Sequence, residues 1–177
     1  MSDPIDPGVT VGHVHLKVSD LGRAEAFYRE VLGFEVTMRF ADSAVFLSAG
    51  GYHHHVALNT WQSRGVPPGR PDRPGLYHVA FLYPDRPSLA RAVLRVVEHG
   101  VTIDGIADHL VSESVYLRDP DQNGLELYRD RPRDEWRHTD DGAVVMDTLP
   151  LDVEGLLAEA TTPPPDVPDP PQDVRDP

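Results

Sequence analysis

The segment Gly12–Asp20, GHVHLKVSD, sets two histidines against three aliphatic residues. Side chains alternate along a strand, so Val14, Leu16 and Val18 share one face while His13, His15 and Lys17 take the other. One face is suited to burial and the other to chemistry. The next residues, SDLGRAEAFYREVLG (19–33), predict a helix capped by Ser19 or Asp20. Its apolar stripe is Leu21, Ala24, Phe27, Tyr28, Val31 and Leu32, and Gly33 closes it. FEVTMRF (34–40), AVFLSAG (44–50) and HHHVALNTW (53–61) then read as three short strands.

The same order returns after a Pro/Gly/Arg loop at 65–75. LYHVAFLY (76–83) is a strand, PSLARAVLRVVEHG (87–100) a helix, and VTIDGI (101–106), SVYLRD (114–119) and GLELYRD (124–130) are strands. Superposing His78 on His13 aligns Asp85 with Asp20 and brings Gly100 within two positions of Gly33, the mark of an internal duplication. The expected fold is therefore α+β, built from paired βαβββ modules that form a cupped mixed sheet. Modules at about 9–61 and 75–131 make one domain, 9–131, after an N-terminal extension, 1–8. A C-terminal extension, 132–160, carries a short helix capped by Asp152. The Pro/Asp-rich stretch 161–177 lacks aromatics and reads as a disordered tail.

Composition narrows the function. A net charge of −13 argues against nucleic-acid binding, which needs a basic footprint. There is no cysteine, so thiol nucleophiles and thiolate metal sites are excluded and any metal must rest on His and carboxylates. No apolar run approaches membrane-spanning length and the N-terminus has no leader-like pattern, so a cytoplasmic location is the expectation.

His13 lies opposite Val14, Leu16 and Val18, His78 shares a face with Ala80 and Leu82 opposite Tyr77, Val79 and Phe81, and Glu126 lies with Tyr128 opposite Leu125 and Leu127, so each strand offers one candidate ligand. If the paired modules curl into one cup, His13, His78 and Glu126 converge as a two-His-one-carboxylate triad with open positions, the donor set of non-haem Fe(II). Each residue alone is also compatible with an ordinary hydrogen-bonded or solvated side chain. Three ionisable groups at matching strand positions call for a common explanation.

GHVHLKVSDLGRAEAFYREVLGF, YHVAF and LRDPDQNGLELY together resemble the vicinal oxygen chelate superfamily, which includes glyoxalase I, fosfomycin-resistance enzymes, bleomycin-binding proteins and extradiol dioxygenases. The resemblance covers residues 9 to 131 and implies His13, His78 and Glu126 as metal ligands. Within that family the chain is most similar to catechol 2,3-dioxygenase-type enzymes. Their His-x-Val/Ile-Ala segment is matched by His54-His55-Val56-Ala57, which implies an acid/base role for His54. Their tyrosine ten residues before the ligand glutamate is matched by Tyr116. Their further upstream histidine is matched by His109, at a spacing two residues shorter. Glyoxalase-type members add an acidic ligand that HHHVALNTW lacks.

The resemblance thus implies an Fe(II)-dependent extradiol dioxygenase, with Mn(II) or another divalent metal as the alternative, acting on a small catechol-like aromatic and O2. Two rivals stand beside it: an oxygen-independent metal-dependent lyase, transferase or isomerase of the same superfamily, and a small-molecule binding protein. Strand parity sets His54 with Val56 and Leu58 and sets His53 apart, unless a bulge intervenes, so His53 stays in reserve. The histidine run beside Gly50-Gly51 is equally compatible with an exposed turn. Trp61 is a candidate for the substrate pocket or for plain core. The family's dioxygenases commonly carry two such paired domains, whereas this chain has one, so a homodimer is expected to complete the pocket or cover edge strands.

Overall fold

Asp20 has an extended backbone and its carboxylate accepts the Arg23 N–H at 2.9 Å, so it is the cap that starts α1, Leu21–Ala26. The helix widens into a π-helical turn over Phe27–Val31 and stops at Gly33, whose φ of +84° suits a residue without a Cβ. Around α1, β1 (Val14–Lys17), β2 (Glu35–Phe40), β3 (Ala44–Ser48) and β4 (Val56–Asn59) form a sheet in the order β1-β4-β3-β2, with β1 parallel to β4 and the rest antiparallel. The second module repeats the plan. Here β5 (Val79–Leu82), β6 (Ile103–Asp108), β7 (Ser112–Arg118) and β8 (Gly124–Asp130) take the order β5-β8-β7-β6 around α2, Arg86–Glu98, with β5 parallel to β8. These observations come from a computed structural model that describes residues 4–70 and 72–163.

The mixed pairing expected from the sequence is present, distributed over two four-stranded sheets that share one core. Leu16, Val18, Tyr28, Val45, Leu47 and Leu58 of the first module and Leu89, Val93, Val96, Leu117, Leu125 and Leu127 of the second belong to a single buried cluster. The modules meet on their helical sides: Phe34 lies 5.2 Å from Phe81 between ring centroids, and Gly33 faces the Arg95 guanidinium. Polar bonds reinforce this contact. The Tyr28 hydroxyl donates to Asp119 at 3.2 Å, and Ser19 donates from backbone and hydroxyl to Asp121 at 2.9 and 2.6 Å. The acidic turn Asp119–Asn123, which the sequence reading treated only as a motif, is thereby a clasp between modules.

Because the apolar faces are spent on this shared core, the opposite face of each sheet is left open. Among the described residues β1 and β5, which follow His13 and His78, each pair with only one strand.

After β8 the chain makes a 3₁₀ turn at Arg133–Glu135 and returns past the end of β6, where Asp108 and Leu149 exchange two backbone bonds of 2.9 Å. It ends in α3, Val153–Ala158, capped by Asp152 through the Gly155 N–H, with Leu156 fully buried. A buried glutamate anchors this region: Glu113 receives Arg86, Arg129 and Arg131, and Arg86 also reaches Glu159. Thr161 closes a 3₁₀ turn, Glu159–Thr161, and the Thr162 carbonyl accepts from Arg91, so the expected tail begins later than Thr161. Residues 164–177 of that tail lie outside the described residues.

Candidate active site

On the second sheet four side chains form a chain of contacts. Register places Ala80, Glu126, Tyr116 and Gly105 in one row across β5, β8, β7 and β6, on the open face. His78, two residues before Ala80, joins that face, and its Nε2 lies 3.0 Å from Glu126 Oε2. The other carboxylate oxygen, Oε1, accepts from the Tyr116 hydroxyl at 3.0 Å. Tyr116 in turn lies 2.8 Å from His109 Nε2. Burial pushes the Tyr116 phenol above its ordinary value, and the Glu126 charge adds to this, so the hydroxyl keeps its proton.

A cleft of about 360 Å³ lies at one end of this face, lined by Tyr77, His78, Gly105, Tyr116, Arg118 and Gly124 among others. Gly124 is required there. A Cβ on it would stand 2.1 Å from the Tyr77 carbonyl oxygen.

The first sheet presents a histidine cluster of its own. His13 lies 4.3 Å from His54 between ring centroids, and His54 stands edge-on to Phe46 at 5.1 Å. Phe46 is in register with Ala57 and, through it, His15, so this too is the open face. Strict strand alternation places His54 with Val56 and Leu58; the structure reverses it, because β4 begins only at Val56 and the bend before it turns His54 outward. His53 is exposed, stacks on Tyr52 at 4.0 Å and has its Nδ1 2.7 Å from that of His54. His55 turns elsewhere: its Nδ1 accepts from the Ala49 N–H at 3.3 Å and lies 3.1 Å from Ser48 Oγ. Burial lowers the His54 imidazole from its ordinary value, and the surrounding histidines lower it further. Trp61 is not core: it is 57% exposed, edge-on to His15 at 5.3 Å, with its indole N–H donating to Ser43.

The sequence-predicted residues therefore fall into two groups, His78, Glu126, Tyr116 and His109 on the second sheet and His13, His53, His54 and Trp61 on the first. Among the described residues His13 does not join His78 and Glu126 in a group placed to hold a metal. Among the described residues no group of three or more His, Asp or Glu is placed to hold a metal. The physical reason is the shared core, which turns the open faces of the two modules away from their common helical side. His78 and Glu126 do fit two positions on one ion: ligand atoms about 2.1 Å from a metal at right angles are about 3.0 Å apart. The His78 Nδ1 is buried without a partner, so the polar contact that orients the ring is the one from Nε2 to Glu126.

A larger cleft, about 800 Å³, lies beside the start of α1. Its three arginines, Arg23, Arg39 and Arg64, are paired with Asp121, Glu25 and Asp42, and it contains none of the histidines.

The model of the Glyoxalase/Bleomycin resistance protein/Dioxygenase superfamily matches residues 10–127, spanning both modules. The chain belongs to this superfamily. It is 44% identical over 150 residues to a protein of Bacillus subtilis named catechol-2,3-dioxygenase, covering 85% of this chain and 52% of that one. It is 32% identical over 120 residues to biphenyl-2,3-diol 1,2-dioxygenase 3 of Rhodococcus globerulus, covering 68% of this chain and 63% of that one. It thus spans between half and two thirds of these relatives. Among solved structures, lactoylglutathione lyase from Agrobacterium tumefaciens superposes with a TM-score of 0.54 at 26% identity, covering 70% of this chain and 96% of that one. Superfamily membership accounts for the duplicated βαβββ plan. Among the described residues no helix is long and apolar enough to cross a membrane.

Proposed function

We propose that the chain is an Fe(II)-dependent extradiol dioxygenase that cleaves a small catechol-like aromatic with O2. The observation that carries this reading is the contact chain His78–Glu126–Tyr116–His109, in which a two-ligand pair and a protonated phenol share one carboxylate. The names of the Bacillus and Rhodococcus relatives support it.

In this reading His78 and Glu126 hold the metal from the second sheet and His13 is the third ligand. A homodimer supplies it: His13 of a second copy, brought in along the free edges of β1 and β5, meets the His78–Glu126 pair. Exposed apolar side chains beside these residues, Tyr77, Leu82 and Trp61, favour such a contact. The metal, Fe(II) or alternatively Mn(II), supplies a binding point for vicinal substrate oxygens and for O2.

The protein's own groups hold and move protons. His54 takes a proton from a catechol hydroxyl and returns it to the departing oxygen. Tyr116 donates to the substrate oxygen nearest Glu126, and His109 backs Tyr116. His53 and Trp61 border the ring.

The deciding experiment reconstitutes anaerobically purified protein with Fe(II) and follows oxygen uptake and yellow ring-opened product over a panel of catechols. Product that disappears in His78→Ala and slows sharply in His54→Ala supports the reading. Turnover of a vicinal-oxygen substrate without oxygen uptake would instead place the chain with the lyases of its superfamily, and tight ligand binding without metal would make it a binding protein.

A further inference from the structure

The return of the chain past β6 brings a backbone oxygen into the contact chain of the second sheet. His109 Nδ1 lies 2.8 Å from the carbonyl oxygen of Asp147. A carbonyl only accepts, so this nitrogen carries the ring proton, and in the neutral imidazole Nε2 is then bare. That bare nitrogen lies 2.8 Å from the Tyr116 hydroxyl. Tyr116 has one proton and stands between two acceptors, Glu126 on one side and His109 on the other.

Several features over-determine this arrangement. Asp108 and Leu149 exchange two backbone bonds, fixing the chain one residue before His109 and two residues after Asp147. Asp108 also accepts the Leu110 N–H at 2.8 Å and pairs with Arg131 at 2.6 Å. Leu110 is held at a φ of +69°, a conformation that costs a branched side chain energy and persists only where surrounding bonds enforce it. Beyond the segment, buried Leu151 and Leu156 fix its far end in the shared core.

We infer that the segment 146–149 is a positioning strap: through the Asp147 carbonyl it locks His109 in the Nδ1–H tautomer, so that Nε2 is presented to Tyr116 and takes its proton when that hydroxyl turns from Glu126. The βαβββ modules cannot set this by themselves, because the oxygen comes from outside them. The role for His109 rests on the dioxygenase reading, while the tautomer does not.

Long-range ¹H–¹⁵N spectra of the metal-free full-length protein, labelled at histidine and recorded where imidazoles are neutral, read the tautomer directly; His109 is assigned by its loss in His109→Gln. The wild type is expected to show Nδ1–H. Leu149→Pro removes the N–H that bonds to Asp108, and two glycines inserted after Thr148 move the Asp147 carbonyl while leaving Leu149 on Asp108. Either change is expected to shift His109 to mostly Nε2–H. It is also expected to lower kcat roughly tenfold or more with little change in KM, as for a misplaced group in an otherwise intact site. If Leu149→Pro fails to fold, the insertion decides. An Nε2–H tautomer in the wild type overturns the inference, as does an unchanged Nδ1–H signal in the folded insertion variant. A correct tautomer response in a protein that cleaves no catechol would leave the strap standing and remove the dioxygenase reading alone.

Discussion

Glu126 divides its two oxygens between two partners, His78 at 3.0 Å through Oε2 and Tyr116 at 3.0 Å through Oε1. A single carboxylate thus contacts an imidazole, its partner in the proposed metal pair, and orients a phenol. Loss of either metal-side group, in His78→Ala or Glu126→Gln, is expected to abolish stoichiometric Fe(II) in anaerobic metal analysis. Tyr116→Phe should keep the metal and lose about 10- to 100-fold in turnover, the usual cost of removing a hydrogen-bonding partner behind a ligand.

Separation of His13 from the His78–Glu126 pair makes a complementation test possible. His13→Ala and His78→Ala are each expected to be inactive. Refolded together in equal amounts, half of the dimers pair unlike chains, and each of those regains one intact site of two, so about a quarter of wild-type activity should return. Sites contained within single chains would return none.

His54 leans on His13 and Phe46 with no backbone bond of its own ring to hold it. Its replacement by alanine should therefore leave the fold and the bound Fe(II) unchanged while slowing catechol cleavage by roughly 10²- to 10⁴-fold, the range for loss of a general acid or base. Stopped-flow product formation against metal content separates the two effects.

Asp85 caps α2 by accepting the Ser88 N–H at 2.7 Å, and hydrogen bonds from Ser88 hold its carboxyl below the ordinary carboxylate value. A depressed folded-state value contributes stability that is complete above the ordinary value and lost as pH falls through the depressed one. Asp85→Ala is therefore expected to cost about 1 kcal/mol in urea unfolding at pH 7, the usual worth of an N-cap, and progressively less in acid.

Much of this molecule was legible in the order of its residues. Alternation around His13 and His78, the caps at Asp20, Asp85 and Asp152, and the duplication itself led to two βαβββ modules. Tyr116 and Glu126 sit across β7 and β8 in direct register, and their spacing in the chain is what a tight antiparallel pair requires. What the sequence did not disclose has physical causes. Which sides of the modules meet depends on interdigitation such as Phe34 against Phe81, which no local pattern encodes, and this is why His13 was expected beside His78. The outward turn of His54 depends on a backbone bend that cancels strand parity. Glu113, with its three arginines, lies within an unremarkable SES. The Asp147 carbonyl belongs to every residue type alike, so no motif could have marked it.

Gly124 shows how narrow the tolerances of this site are. The Tyr77 carbonyl crosses so near that only a hydrogen atom fits on the Cα of residue 124. Tyr77 precedes His78, and Gly124 lies two residues before Glu126 on the adjoining strand. The glycine therefore acts as a spacer of minimum thickness between the two backbones that carry His78 and Glu126. A single methyl group there would push the two strands apart and part the His78 imidazole from the Glu126 carboxylate with both side chains still present.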